Sequence, residues 1–347
     1  MSLTRRAALA GCGGGLAMLT GLPAVSQPAV SQPALAQPVL AQPAPAQAAY
    51  PSRTIKMIVP YPAGRTTDFL GRLVADQLKT GLGATVIVEN KPGAGTTLGA
   101  DQVARAEPDG YTLLMATSTT LAINKTLYKK LPYDPVKDFT PIALVAGVPF
   151  ALIVNPQVPA KTLSEFIAYA KSTPGLVYGS AGNGSPQHLG AEMLKAAAAI
   201  DIRHVPYRGS VPAMLDVIAG HIPFMVVDLQ PALPQISEGK VRVLGVTTPK
   251  RVAVASDIPT LAEAGLPGFE LVAWQGVVAP AGVPPAIVDP LAAQIAKLTA
   301  DPATREKLTT IALEPLAGST PDSFAAFIKT EVDRWAAIVK NSGAEPE

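Results

Sequence analysis

Cysteine is almost absent from this 347-residue chain, aromatics make up only 5% of it and charged residues only 16%. The one cysteine, Cys12, lies in an N-terminal segment built like a leader, so the chain behind it has neither a disulfide framework nor thiol chemistry. Three histidines, His188, His204 and His221, show no metal-ligand spacing, and each reads as a structural or surface residue. No basic block occurs outside the extreme N-terminus, and 28 basic against 26 acidic residues leave a net charge of +2, so nucleic acid is not an expected partner. Behind the leader no segment approaches the roughly 18 consecutive apolar residues of a membrane span. Catalytic signatures are missing as well. Ser185 follows Asn183-Gly184 and precedes Pro186, which is not the G-x-S-x-G elbow, and neither H-E-x-x-H, D-x-D nor a lysine in a glycine-rich phosphate loop is found. Without a pair of groups set up for acid–base or nucleophilic work, no catalytic residue, metal or cofactor is assigned, and the chain reads as no enzyme.

What is present is a hydrophobic fraction of 48%, enough at this length for two domains with cores of their own. Residues 1–26 have the anatomy of an export signal: Arg5-Arg6, an apolar run from Ala7 to Leu22, then small residues. Thr4-Arg5-Arg6 resembles a twin-arginine signal and equally suits an ordinary secretory leader. Leu9-Ala10-Gly11-Cys12 spells a lipoprotein cleavage pattern, but the apolar run continues past Cys12 and the match is read as accidental. Residues 27–49 repeat short S-Q-P-A, A-Q-P-V and A-Q-P-A units, the composition of an extended, disordered tether. Cleavage after Ser26, Ala36 or Ala48 would release an exported, soluble chain.

From Tyr50 onward strand and helix patterns alternate. Residues 54–59, 84–89 and 111–116 read as strands, each followed by a glycine- or threonine-rich turn and a helix, which predicts a parallel, doubly wound sheet. Two short apolar runs around residues 142–155, with no helix between them, mark a crossover into a second domain. There, residues 177–180, 202–207, 224–228 and 241–246 read as strands, with helices over 163–171, through Ala199 and over 213–219. Residues 271–278 form a strand returning to the first domain. Two helices follow, then a terminal helix over 321–340 with Phe324, Phe327, Ile328, Val332 and Trp335 on one face. The expected architecture is α/β and two-lobed, with residues 50–149 and 272–347 as one lobe, residues 150–271 as the other, and a cleft at the strand ends.

Two loops stand out. Val59 to Asp68, V-P-Y-P-A-G-R-T-T-D, joins the first strand to a helix, with Gly64 permitting an unusual backbone angle and Thr66, Thr67 and Asp68 capping the helix. Such a loop aims unpaired amides and a positive helix end at one spot, which suits a carboxylate or phosphate. Ala181 to His188 repeats the arrangement, with Ser185 as cap and Pro186 at the first helical position. Either loop alone also reads as an ordinary strand–helix connection. G-A-G-T-T-L-G (Gly93, Gly95, Gly99) departs from a dinucleotide fingerprint in spacing, and tight strand–helix packing is expected there, with a contribution to the cleft wall. Asp68 and Asp228 are candidates for the cleft, although Asp68 serves equally as a helix cap. Tyr61, Phe150, Tyr207 and Trp274 are candidate cavity walls, with the core reading favoured for each.

As an ordered set, V-P-Y-P-A-G-R-T-T-D, V-E-N-K-P-G-A-G, P-D-G-Y-T-L-L, L-P-Y-D-P-V-K-D-F-T-P, S-A-G-N-G-S-P-Q-H-L, H-V-P-Y-R-G-S, I-P-T-L-A-E-A-G-L-P-G and V-A-P-A-G-V-P resemble the substrate-binding receptors of tripartite tricarboxylate transporters, the Bug type, over residues 51–347. The resemblance implies a periplasmic-binding-protein fold of type II, each lobe a doubly wound sheet with flanking helices. It also implies a periplasmic receptor that closes on a small mono- or dicarboxylate and hands it to membrane permease subunits; a monomer is expected. By position, the resemblance carries a carboxylate clasp onto Ala63, Gly64, Thr66, Thr67 and Asp68, and onto Ala181, Asn183, Gly184, Ser185 and Gln187. It puts Thr117 to Thr120 (Thr117 and Ser118 foremost), Tyr207 and Asp228 around the variable distal part of the ligand. Relatives usually carry a second glycine where this chain has Arg65. Its guanidinium is a candidate for bidentate ligand contact and dianion selection, with a solvent-facing or space-filling role as the alternative. An exported carboxylate sensor and an exported enzyme acting on carboxylates are the competing classes. Ligand identity stays open among linear dicarboxylates, citrate-like acids, amino acids and aromatic acids.

Overall fold

A computed structural model describes residues 50–342 and residue 344; the expected leader and tether lie outside the described residues. Strand β1 (Ile55–Val59) is buried at every position but Lys56, as a central parallel strand must be when helices cover both faces. Helix α1 (Thr66–Leu82) follows and stops at Gly83, whose positive φ ends it in a left-handed cap. Thr66, Thr67 and Asp68 form the first turn of α1 and do not precede it; the residue at the cap position is Arg65, in extended backbone. Strand β2 (Val86–Asn90), helix α2 (Thr97–Ala104) and strand β3 (Thr112–Thr117) complete the first series. A π-turn over Thr119–Ile123 and the short helix α3 (Asn124–Leu127) replace the single helix expected after β3.

The two apolar runs around residues 142–155 belong to one 16-residue strand, β4 (Phe139–Val154). Pro141 and Pro149 disguise it, since proline in a strand signals an edge or a break. The strand tolerates them by shifting register between Pro141 and Ala143 and by changing partners at Pro149. Beyond it come α4 (Leu163–Ser172), opened by a reciprocal Thr162–Glu165 capping box, β5 (Leu176–Ser180) and α5 (Pro186–Ala198). Strand β6 (Ile202–Pro206), α6 (Ser210–Ala219), β7 (Phe224–Asp228), α7 (Leu229–Ser237) and β8 (Arg242–Val246) follow. Helix α7 is missing from the sequence reading because Pro231 and Pro234 lie within it. The chain ends in β9 (Val272–Pro280), α8 (Pro285–Ala300), α9 (Pro302–Thr310), the two-residue β10 (Glu314–Pro315) and α10 (Pro321–Ser342).

The strands run β2-β1-β3-β9-β4-β7-β5-β6, with β8 and β10 also on β4. Pairing is parallel within β2-β1-β3 and within β7-β5-β6, and antiparallel wherever β4 or β9 takes part, so the curled sheet is mixed and not wholly parallel as expected. Residues Phe139 to Pro149 of β4 pair with β9, and Phe150 to Val154 pair with β7. Along that second stretch Phe150, Leu152 and Val154 enter one apolar cluster while Ala151 and Ile153 enter another. Both faces are covered, which explains the unbroken apolar run.

Helix α10 packs on β4, on α5 and on the π-turn. Its buried face is Phe324, Ile328, Glu331, Trp335 and Val339, whereas Phe327 and Val332, expected on that face, are only half-buried. Glu331 is the exception to apolar packing: its carboxylate accepts the indole N–H of both Trp274 and Trp335 at 2.8 Å, and Arg334 at 3.2 Å. Glu331→Leu should therefore strand two buried donors and cost about 2–5 kcal/mol in urea unfolding, with Glu331→Gln losing clearly less. A leucine variant within about 0.5 kcal/mol of the parent would show that the carboxylate contributes nothing.

Candidate functional site

A cavity of about 670 Å³ opens where the two sets of parallel strands end. Four turns from strand to helix supply its walls: after β1 (Tyr61, Arg65, Thr66, Thr67), after β2 (Gly93 to Thr96), after β5 (Ala181, Asn183, Ser185, Gln187) and after β6 (Arg208, Gly209, Ser210). Thr117, Ser118 and Thr119 at the end of β3, Asp228 at the end of β7, Val148 and Phe150 of β4, and Ala273, Trp274 and Gln275 of β9 add to it. Helices α1, α5 and α6 thus all begin at the cavity, and first-turn amides have no acceptor within their own helix. Among the described residues, the only charged side chains in the lining are Arg65, Arg208 and Asp228.

Of the residues expected at the site, Tyr61, Arg65, Thr66, Thr67, Thr117, Ser118, Ala181, Asn183, Ser185, Gln187 and Asp228 line the cavity; Ala63, Gly64, Asp68, Gly184 and Tyr207 do not. The second group has other work. Asp68 accepts the Gly64 N–H at 2.9 Å, Asn90 Nδ2 at 3.0 Å and Arg72 Nε at 3.0 Å. Burial alone would raise its pKa, but these hydrogen bonds outweigh that cost and hold the carboxyl below its ordinary value. Asn90 also donates to the Tyr61 carbonyl at 3.0 Å, so one carboxylate and one amide fix the shape of the loop. Tyr207 commits its hydroxyl to Asp216 at 2.6 Å.

The loop after β5 is fastened from below by two stacked imidazoles, His188 and His204, with ring centroids 3.9 Å apart. His188 Nδ1 accepts the Gly184 N–H at 3.1 Å. His204 Nε2 lies 2.5 Å from Ser180 Oγ, which in turn accepts the Gly182 N–H at 3.0 Å. Ser185 Oγ caps α5 by accepting the His188 N–H and donates to the Gly182 carbonyl at 2.7 Å. An acceptor nitrogen at His188 requires the neutral ring, and burial, together with the charges of His204 and Lys195, keeps its pKa down at about 3; burial alone keeps that of His204 at about 4.

Contacts also cross the cavity. Arg65 Nη1 donates to Ser210 Oγ at 3.2 Å, Thr66 Oγ1 donates to Gln230 Oε1 at 3.1 Å, and Gln275 Nε2 donates to Thr67 Oγ1 at 3.1 Å. Gln187 Nε2 donates to Asp228 at 2.5 Å. Asp228 keeps part of its surface open to the cavity yet is walled off from bulk water. That desolvation pushes its carboxyl up to about 6, against the lowering pull of Gln187 and Arg65. Among the described residues, four buried side-chain atoms find no partner, and three of them, Ser118 Oγ, Gln187 Oε1 and Gln275 Oε1, belong to residues of this cavity. Sequence reasoning missed Arg208, Gly209 and Ser210 as site residues, although R-G-S between a strand and a helix repeats the pattern that flagged the other two loops. Gln275, inside a strand, carries no such signal. Gly99 packs against Pro60 and the Lys91 carbonyl, each only 3.1 Å from where a side-chain carbon would sit, in keeping with the tight packing expected of that motif.

The sequence matches the tripartite tricarboxylate transporter family receptor over residues 70–344. It is 35% identical to protein BugT of Bordetella pertussis over 298 residues, 85% of this chain and 91% of that one. Among solved structures, R. palustris Rpa4515 with adipate is similar at a TM-score of 0.82 and 35% identity, covering 86% of this chain and 100% of that one. MatC from Rhodopseudomonas palustris with bound malate is similar at 0.77 and 36% identity, covering 84% and 100%. The fold is that of the periplasmic binding proteins.

The buried imidazoles set a pH dependence. Unfolded, each titrates near about 6.5; folded, they titrate at about 3 and about 4. Between those values the unfolded chain binds protons that the fold refuses, so stability is full above about pH 6.5 and is lost progressively as pH falls toward about 3. Asp228 acts oppositely over part of this range, so chains sharing Asp228 should be compared. A His188→Gln, His204→Gln variant should be less stable at pH 7 and lose less on acidification, as read from urea midpoints. Parallel curves for the two proteins would remove the imidazoles from the account.

Proposed function

We propose, from the premise that this chain belongs to the tripartite tricarboxylate transporter receptor family, that it captures a small organic carboxylate between two lobes in the periplasm and delivers it to the membrane permease subunits of such a transporter. A solute-binding role follows from the family itself; the ligand class, the closure and the delivery are the proposal. One observation carries it: α1 and α5, from different sets of parallel strands, begin at a single cavity, whose lining holds no lysine. A helix end favours a negative group by about 0.3–2 kcal/mol. A hydrogen bond to a charged partner adds about 1.5–3 kcal/mol. Micromolar affinity needs about 8 kcal/mol, so about four or five such contacts suffice. Relatives that hold adipate and malate support the same ligand class.

In this reading, residues 50–149 and 272–347 form one lobe and residues 150–271 the other. The change of partner along β4 between Pro149 and Phe150 supports that division. Strands β4 and β9 connect the lobes, and the receptor acts as a monomer. Among the described residues no helix is long and apolar enough to cross a membrane. The receptor is expected to return its ligand unchanged.

A thermal-shift panel of organic acids on the purified receptor tests the ligand class. An acid at 100 times its dissociation constant should add about 2.7 kcal/mol of stability, while its fully amidated analogue should add none. An equal shift from the amide would take the carboxylate out of the proposal.

A further inference from the structure

We propose that Arg65 and Thr66 strap the start of α1 across the cavity to α6 and α7, and that this strap supplies part of the closing free energy, strengthening the binding of every ligand alike. The inference rests on the two-lobed reading above and adds a device to it. Arg65 Nη1 donates to Ser210 Oγ at 3.2 Å, and its neighbour Thr66 donates from Oγ1 to Gln230 Oε1 at 3.1 Å. Ser210 opens α6, and Gln230 stands in the first turn of α7. In the division above, Arg65 and Thr66 belong to one lobe, Ser210 and Gln230 to the other. The guanidinium also rests on the backbone of Gly209, where a side-chain carbon would sit 2.7 Å from Nη2 and 2.9 Å from Cζ. Gly209, at a φ of 120°, is the seat that only a glycine can offer to that fork.

These contacts join protein to protein. A guest in the cavity is party to neither hydrogen bond, and Gln230 does not belong to the lining at all. Strands β4 and β9 carry the backbone from one lobe to the other, so a swing about them parts Arg65 from Ser210 and Thr66 from Gln230. Both bonds are therefore made on closing and lost on opening. A contact present in one state only shifts the equilibrium toward that state. A ligand that binds the closed form then finds more of it, and its apparent dissociation constant falls by the same factor whatever its chemistry. Arg65 is thus a positioning residue, and its signature is a loss of affinity without a loss of selectivity.

Pulsed electron resonance tests the strap on the full chain, with Cys12→Ser removing the one native cysteine. Leu98→Cys on α2 and Leu215→Cys on α6, one per lobe and both exposed, take a nitroxide each. Without added acid, Arg65→Ala and Gln230→Ala should each show more of the longer separation than the parent, with Arg65→Lys recovering part. Calorimetry with adipate and with malate, the acids that relatives hold, should show both affinities falling about two- to tenfold in either alanine variant, their ratio kept within about twofold. Urea unfolding curves check that each variant folds. Separations unchanged in both alanine variants overturn the strap, as does an affinity loss confined to one acid. If the separations still respond to adipate or malate, closure stands while the strap falls. A single separation that neither the substitutions nor the acids alter takes away closure as well. Should neither acid bind, the separations without acid decide on the strap alone.

Discussion

The first-turn amides of a helix have nowhere to bond within their own helix, and here three such turns are brought to a common cavity. The sheet order forces this. Strands β1, β5 and β6 are parallel strands that end on the cavity side, and each hands the chain through a short turn into α1, α5 or α6. Because β4 pairs with β9 along one stretch and with β7 along the next, the two sets of strand ends are held by continuous backbone. A donor-rich space results, lined among the described residues without a lysine.

Such a space is useful only if its loops keep their shape, and the residues that do this are not those that face the cavity. Asp68 spends its carboxylate on Gly64, Asn90 and Arg72, and His188 spends its free nitrogen on Gly184. The amides of Gly64 and Gly184 are therefore already bonded, whereas Thr66, Thr67 and Gln187 stand in the first turns that border the cavity. Neutral imidazoles suit the task because a cationic pair 3.9 Å apart would repel and would lose the acceptor that holds the loop.

Much of this was legible in the chain. Alternation of β-branched runs with periodic apolar stretches gave most strands and helices to within a residue or two, and residues 224–228 were placed without error. Two of the failures share a cause, proline within regular structure: Pro141 and Pro149 hid the continuity of β4, and Pro231 and Pro234 hid α7. Glycine, by contrast, pointed toward the site, because Gly64, Gly182 and Gly184 adopt positive φ in the turns that border it. What no local pattern reports is a contact made across the cavity. Arg65 was noticed as a residue out of place; that it would meet Ser210, 145 positions later, depends on the fold as a whole. The same holds for Gln275, a polar residue in an apolar strand whose partner is Thr67.

Asp228 fits this arrangement despite its sign. A carboxylate is acceptor-only when ionised, so its 2.5 Å contact with Gln187 fixes which way that amide points: the NH₂ group toward Asp228, the carbonyl oxygen away from it. The carbonyl oxygen of Gln187 is thereby left buried and without a partner among the described residues. Whatever satisfied it would have to be a donor, as a hydroxyl or ammonium is and an ionised carboxylate is not. In the carboxylate reading, negative charge belongs at the helix ends, because an unpaired acceptor elsewhere on the wall disfavours it there. Specificity built this way depends on the orientation of one side chain. Asp228, bonded to Gln187 in the first turn of α5, matters because it sets that orientation.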